Sequence, residues 1–223
     1  MRKVRLCDAC VQDRRLVTPG TEEAKKLPYL GLEQIESQTG RILESSSSGS
    51  DVGISATFRF DDTHVLYGKL RPYLNKVALP EFPGRCTTEI IPLRPTDLAD
   101  RSYLGLLLRS PAVLERAMQG NNGSRMPRAD LDLLLSLEIP LPDLPTQRRI
   151  ASRLKEQLDE IEQARQIVEE QERGLRALKE RQVELAFESA GAVSVPLGSV
   201  AQKIGSGVTP RGGQSAYQSE GVP

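Results

Sequence analysis

The stretch from Thr146 to Glu188 contains no proline and no strand signal, and only Gly174 interrupts its helical pattern. At ~1.5 Å per residue, a helix there spans roughly 65 Å, longer than a small domain is wide. Leu154, Ile161, Val168 and Leu175 recur every seven residues, and Leu178 and Leu185 fill the companion position. Gln157, Gln171 and Gln182 interrupt that seam, which gives a coiled-coil pattern with polar registers. The helix outruns any surface that the first 145 residues can offer it, so it needs a partner helix, and this chain contains no second one.

Thr146 reads as the N-cap of that helix and Pro145 as the end of a mixed α/β region. Val52, Ile54, Ala56, Phe58 and Phe60 alternate on one face of a half-buried strand. Val65 to Tyr67 and Val77 to Leu79 read as further strands, and Ile90 and Ile91 as another, ended by Pro92. Ser45 to Gly49 forms a polar loop. Helices follow from Asp100 to Arg109, from Pro111 (capped by Ser110) to about Gln119, where Gly120 suits a left-handed terminus, and near Asp130 to Leu135. Glu138 to Pro145 is extended and stiff because of its spaced prolines.

Near the C-terminus, Val195-x-Leu197 repeats Val4-x-Leu6, and Val208-Thr-Pro210 repeats Val17-Thr-Pro19, both at an offset of 191 residues. The expectation is a module, a long helix and the start of a second module.

Thirty basic residues balance thirty acidic ones, which excludes indiscriminate electrostatic binding to nucleic acid. The balance is uneven along the chain. Residues 146–190 hold nine basic and ten acidic residues, a solvated helix surface, whereas 109–128 carry four arginines against Glu115 alone. Lys69, Arg71, Lys76 and Arg85 cluster with Tyr73 and Asn75 interleaved. Such side chains bridge phosphates and base edges, so the charge pattern permits DNA binding without establishing it.

Little points to catalysis. His64, the only histidine, sits in Asp61-Asp-Thr-His64 and reads as a solvated turn residue. There is no Walker lysine motif and no dinucleotide glycine fingerprint. Cys7 and Cys10 have the spacing shared by metal and redox sites, and Cys86 with His64 would have to complete a zinc site. The expectation is instead that both N-terminal cysteines are packing residues, with no metal and no cofactor. Three cysteines, no apolar leader and no long apolar run point to a cytoplasmic chain without a membrane span.

Tyr67-Gly-Lys-Leu-Arg-Pro-Tyr-Leu-Asn-Lys-Val77 followed by Cys86-Thr-Thr-Glu89 resembles the central signature of target recognition domains in type I restriction-modification specificity subunits. Tyr29-Leu-Gly-Leu-Glu33 through Ser37-x-Thr-Gly40 is similar to that family's early motif. Ile139-Pro-Leu-Pro142 with Gln147-Arg-Arg-Ile150 resembles its spacer junction, and Val195-Pro-Leu-Gly198 with Gly207-Val-Thr-Pro210 resembles the start of another recognition domain. Cys7 stands where such motifs usually have glycine.

The resemblance implies an α+β recognition domain over 1–145, a spacer helix over 146–190 in an antiparallel coiled coil, and a truncated second domain over 191–223. It also implies a non-catalytic reader of one half of a split double-stranded DNA target, which docks methyltransferase and restriction subunits. Those partners would bring S-adenosylmethionine or ATP. Either a truncated subunit or a natural half-subunit fits, and both predict a homodimer through the long helix. Phosphate contacts are expected from Lys69, Arg71, Lys76 and Arg85, with Tyr73 and Asn75 among them. Base contacts are expected from Asn121, Asn122, Arg125 and Arg128. Gly68, Leu70, Pro72 and Leu74 are expected to shape the fold. The rival readings are a coiled-coil adaptor with no DNA role and a metal enzyme built on Cys7, Cys10, Cys86 and His64.

Overall fold

The computed structural model describes residues 3–43, 55–119, 126–191 and 194–200. The chain divides into two units, Met1–Ile161 and Glu162–Pro223. The first contains β1 (Lys3–Arg5), α1 (Leu6–Ala9), β2 (Cys10–Gln12), β3 (Leu16–Val17), α2 (Glu22–Lys26) and β4 (Tyr29–Leu30). Next come β5 (Thr57–Phe60), β6 (Val65–Gly68), β7 (Val77–Ala78), β8 (Gly84–Thr87) and β9 (Ile90–Pro95). Three short helices, α3 (Arg101–Leu108), α4 (Pro111–Met118) and α5 (Leu131–Leu135), precede β10 (Glu138–Pro140). The long helix α6 (Leu144–Ser189) follows and continues into the second unit, which also holds the single turn α7 (Leu197–Val200). An α+β region followed by a long helix is the architecture expected from the sequence.

The strands form two four-stranded sheets, in the orders β2-β9-β6-β7 and β3-β5-β8-β4, and a two-stranded ribbon, β1-β10. All pairings are antiparallel except β4 with β8. Between β2 and β9 the chain changes sheet four times, after β2, β5, β7 and β8, and both sheets bury their apolar faces in one core. Phe60, Leu66, Ile90, Ile91 and Leu93 are fully enclosed there. Phe60 meets Phe82 edge-on with ring centroids 5.8 Å apart. In β5 the alternation holds at Phe58 and Phe60, both buried, while Arg59 is exposed; Val52 and Ile54 lie outside the described residues.

Pro92 does not end its strand, contrary to expectation. It lies inside β9, opposite Leu66. Its carbonyl accepts from Asp13 N–H at 2.9 Å. In an extended chain the N–H and C=O of one residue point the same way, so the missing Pro92 donor faces Asp13, just beyond β2. The β6–β9 ladder therefore loses nothing, and a proline is tolerated in a central strand.

The helices start where the caps are. Asp100 Oδ1 accepts from Ser102 and Tyr103 N–H at 3.0 and 3.1 Å, opening α3, and Asp130 does the same for α5. Each such cap contributes about 1 kcal/mol. The α3 face Tyr103, Leu104, Leu108 packs into the core, and Tyr103 Oη donates to Pro140 O at 2.9 Å, joining α3 to β10. The long helix begins at Leu144, earlier than the sequence suggested. Pro145 occupies its first turn, where a missing N–H costs nothing, and Thr146 is inside the helix instead of capping it.

Gln147 anchors this helix. It is fully buried, and its amide is completely used. Nε2 donates to Leu98 O and Pro142 O, both at 2.8 Å, and Oε1 accepts from Asp100 N–H at 2.7 Å. Ala151 is buried one turn on, and from Ser152 to Ser189 every side chain except Glu162 is exposed. Gln147→Leu keeps the volume but strands two carbonyls and one N–H. We expect a stability loss of about 2–5 kcal/mol from these unsatisfied groups. Urea unfolding followed by circular dichroism measures it, and an unchanged midpoint would remove Gln147 from the anchoring role.

Candidate nucleic-acid interface

The segment after β6 carries three of the four cations expected to meet phosphate, Lys69, Arg71 and Lys76, and the structure shows how it is held. Gly68 pairs with Ile90 at the end of the β6–β9 ladder, which brings Lys69 beside Glu89, the residue entering β9. Lys69 N–H donates to Glu89 O at 2.9 Å. On the other side, Ala129 N–H donates to Lys69 O at 2.8 Å and Arg71 N–H to Pro127 O at 2.7 Å, with Leu70 bridged to Arg128. Three segments distant in sequence thus meet through main-chain bonds.

A 3-10 turn, Pro72–Leu74, follows. The residues flanking it, Arg71 (φ 50°, ψ 63°) and Asn75 (φ 50°, ψ 50°), are both left-handed. That conformation costs an L-residue roughly 1–2 kcal/mol. Turn bonds from Leu74 N–H to Arg71 O and from Asn75 N–H to Pro72 O offset it. Asn75 also donates from Nδ2 to Arg109 O at 3.0 Å. The early motif closes over this turn. Gln38 N–H donates to Leu74 O and its Nε2 to Tyr73 O, both at 3.1 Å, while Arg109 Nη1 reaches Thr39 O. Gly40 (φ 72°) is obligatory, since a Cβ there would lie 1.8 Å from Val77 O.

The expected contact residues therefore separate. Arg71 and Tyr73 are exposed, and Arg71 has no ion pair among the described residues. Lys69 stands 3.9 Å from Glu89 Oε2. Arg128 grips the same carboxylate through Nε and Nη2 at 2.9–3.2 Å, with half of its side chain exposed. Asn75 and Lys76 are half-buried and shape the fold: Lys76 Nζ donates to Leu32 O at 2.6 Å, and burial lowers its pKa.

Arg85 is a correction. It is buried, with Nε donating to Ala24 O at 2.9 Å and the guanidinium 5.1 Å from the Tyr29 ring centroid, so it cannot meet a phosphate. The pairing of β4 with β8 drew it inward, which no local charge pattern reveals. Asn121, Asn122 and Arg125 lie outside the described residues. Glu89 belongs to the central motif, but nothing local distinguishes it from Glu81, the other acidic residue between Lys69 and Arg94; the pairing of β6 with β9 brings it to Lys69 and Arg128.

His64 is a second correction. It is fully buried, not solvated. Nδ1 lies 2.7 Å from Asp61 Oδ1 and Nε2 lies 3.2 Å from Asp13 Oδ2. Arg94 and Arg15 bind Asp13 at 3.0 Å each, so the β5–β6 turn is clamped to the end of β2. Burial pushes the Asp13 carboxyl up, but hydrogen bonds from Arg94, Arg15 and His64 outweigh it and hold it well below the ordinary carboxylate range. Asp61 is likewise opposed by burial but is lowered to about 2 by Thr63 and His64.

The cysteines differ from one another. Cys7 is exposed, which corrects its assignment as a packing residue, while Cys10 and Cys86 are buried. Burial, with a further push from Cys7, raises the Cys10 thiol to about 12. Its Sγ faces Leu6 O, whereas that of Cys86 faces Ile90 O. Among the described residues no three Cys, His, Asp or Glu side chains converge to hold a metal, and no helix is long and apolar enough to cross a membrane.

The sequence pattern that defines the type I restriction modification DNA specificity domain matches residues 11–171, and the chain belongs to that family. Over 128 residues it is 27% identical to the type I restriction enzyme EcoDI specificity subunit of Escherichia coli, a match covering 57% of this chain and 28% of that subunit. The fold is similar to the crystal structure of the HsdS subunit from Thermoanaerobacter tengcongensis, with a TM-score of 0.61, 23% identity, and 88% of this chain and 52% of the other covered. It is also similar to a chain in a structure describing complex assembly and conformational transition of the type I R-M system, with a TM-score of 0.63, 24% identity and the same coverage. The chain thus spans about half of these solved chains and little more than a quarter of the curated subunit.

The carboxylate clamp gives a pH signature. Asp13 and Asp61 have folded pKa values below their unfolded ones, so their stabilisation is present above the ordinary value of 3.8 and is lost as pH falls toward the folded values. Wild-type stability should fall steeply between about pH 4 and about pH 2, and Asp61→Asn should flatten that slope while lowering stability at pH 7. Urea midpoints across this range check it; parallel profiles for the two proteins would contradict it.

Proposed function

We propose that this chain is a DNA-reading component of a type I restriction-modification system. In this reading residues 1–145 recognise one half of an interrupted double-stranded target. The helix over 146–190 pairs with a second helix, and 191–223 begin a further recognition unit, mostly outside the described residues. Methylation and cleavage belong to methyltransferase and restriction subunits that dock on the chain, which itself supplies no catalytic group or cofactor. The observation that carries the reading is the family match, which runs through the α+β region and into the long helix. The basic surface at Arg71, Lys69 and Arg128 supports it.

The partner of the long helix is a second copy of this chain, packed antiparallel. Ile161, Val168, Leu175, Leu178 and Leu185 recur along α6 and are 47–66% exposed, with Leu154 exposed at the start of the seam. A solvated helix has no reason to hold branched apolar side chains at heptad spacing, whereas a facing helix does. A two-fold dimer would read a symmetric, interrupted target. Sedimentation should show a dimer at micromolar concentration, and Val168→Asp should dissociate it with the fold of 1–145 intact. A wild-type monomer would overturn the homodimer and point to a helix from another polypeptide.

Duplex DNA should be retained at low salt and released as salt rises. Arg71→Ala should weaken all sequences similarly and lower the salt slope by about 1, the mark of one lost phosphate contact. Fluorescence anisotropy at several ionic strengths measures both. No DNA binding at any salt would return the adaptor reading.

A further inference from the structure

The contact between Glu89 and Arg128 admits a more specific role than a surface ion pair. Arg128 meets the carboxylate side-on through Nε and Nη2, leaving Nη1 without a partner among the described residues. The backbone beneath is fixed from three directions, by Lys69 N–H on Glu89 O, by the Leu70–Arg128 bridge, and by Ala129 N–H on Lys69 O. Glu89 N–H is further held by Thr87 Oγ1 at 3.4 Å. An arginine this exposed would normally sample many rotamers; here its guanidinium plane is set in advance, with its remaining donor edge turned away from the carboxylate.

We propose that Glu89 is a specificity-determining positioning residue, which orients Arg128 so that its free edge reads a guanine of the DNA target. This rests on the DNA-reading function proposed above. A guanine presents two neutral acceptors, O6 and N7, on its major-groove edge, spaced for the arginine fork. A phosphate offers two oxygens at similar spacing, but it is anionic. Glu89 lies against the same guanidinium and repels a phosphate, whereas a neutral base edge is not repelled. Lys69, 3.9 Å from Glu89, limits the net negative charge around the carboxylate and keeps the pair compatible with nearby DNA. Arg71, with no carboxylate beside it among the described residues, is the phosphate-type cation of this surface, and the two arginines thereby divide positioning from reading.

The test is selection of bound duplexes from a randomised library by the full chain and its variants, each first matched to wild type in thermal melting. Wild type should enrich a motif containing a guanine. Arg128→Lys, which keeps the charge and loses the fork, should reduce the preference at one guanine at least about tenfold while other positions persist. Glu89→Gln, nearly isosteric, should weaken the preference at that same position. If Arg128 instead holds a phosphate, Glu89→Gln raises affinity for every sequence and both variants keep the wild-type motif, which overturns the inference alone. A wild-type chain that enriches no motif overturns the DNA-reading function, and this inference with it.

Discussion

A buried amide ties the start of the long helix to the recognition fold. Gln147 joins Leu98, Asp100 and Pro142, and Asp100 is itself the cap of α3. Helix α3 carries Tyr103, which holds β10 through Pro140, and β10 pairs with β1. A glutamine can do this because it offers two donors and an acceptor without charge. A leucine would leave three backbone groups unpaired, and a glutamate would add a buried charge. The first turns of α6 are held by this contact together with Ile150, Ala151 and the Arg148–Asp100 ion pair, and the side chains beyond are almost all solvated.

The candidate interface depends on the change of sheet between β8 and β9. Because β8 and β9 lie in different sheets, the residues between them form a corner, and because β9 pairs with β6, that corner meets the chain leaving β6. Lys69, Glu89 and Arg128 come together for this reason. The left-handed turn around Pro72 then exposes Arg71 and Tyr73, with Gln38, Gly40 and Arg109 filling the space behind it. Motifs that are separate in sequence are therefore one structural feature.

At the β5–β6 turn the same economy appears in ionic form. His64, Asp13, Asp61, Arg94 and Arg15 bind one another where the turn between β5 and β6 meets the end of β2. The local sequence around His64 is polar, which suggested solvent. Its partners Asp13 and Arg94 are 51 and 30 residues away, so only the pairing of β2 with β9 could reveal the burial.

Much was legible from the sequence because it depends on local pattern. The helix α6, the short helices beginning near Asp100 and Asp130, the strand at Val65 and the heptad seam follow from periodicity and the absence of proline. The strands β1 to β4 are two or three residues long, too short for any alternation to register. What the sequence by itself determined is an α+β region ahead of a long helix with an apolar heptad seam, together with the motifs of its family. Only tertiary structure decided which cations face solvent. Arg71 and Arg85 are chemically alike and near in sequence. One sits in a left-handed turn outside the sheets, and the other points from β8 toward α2 and Tyr29. Burial of a charge is set by the neighbours a strand acquires, and those come from elsewhere in the chain.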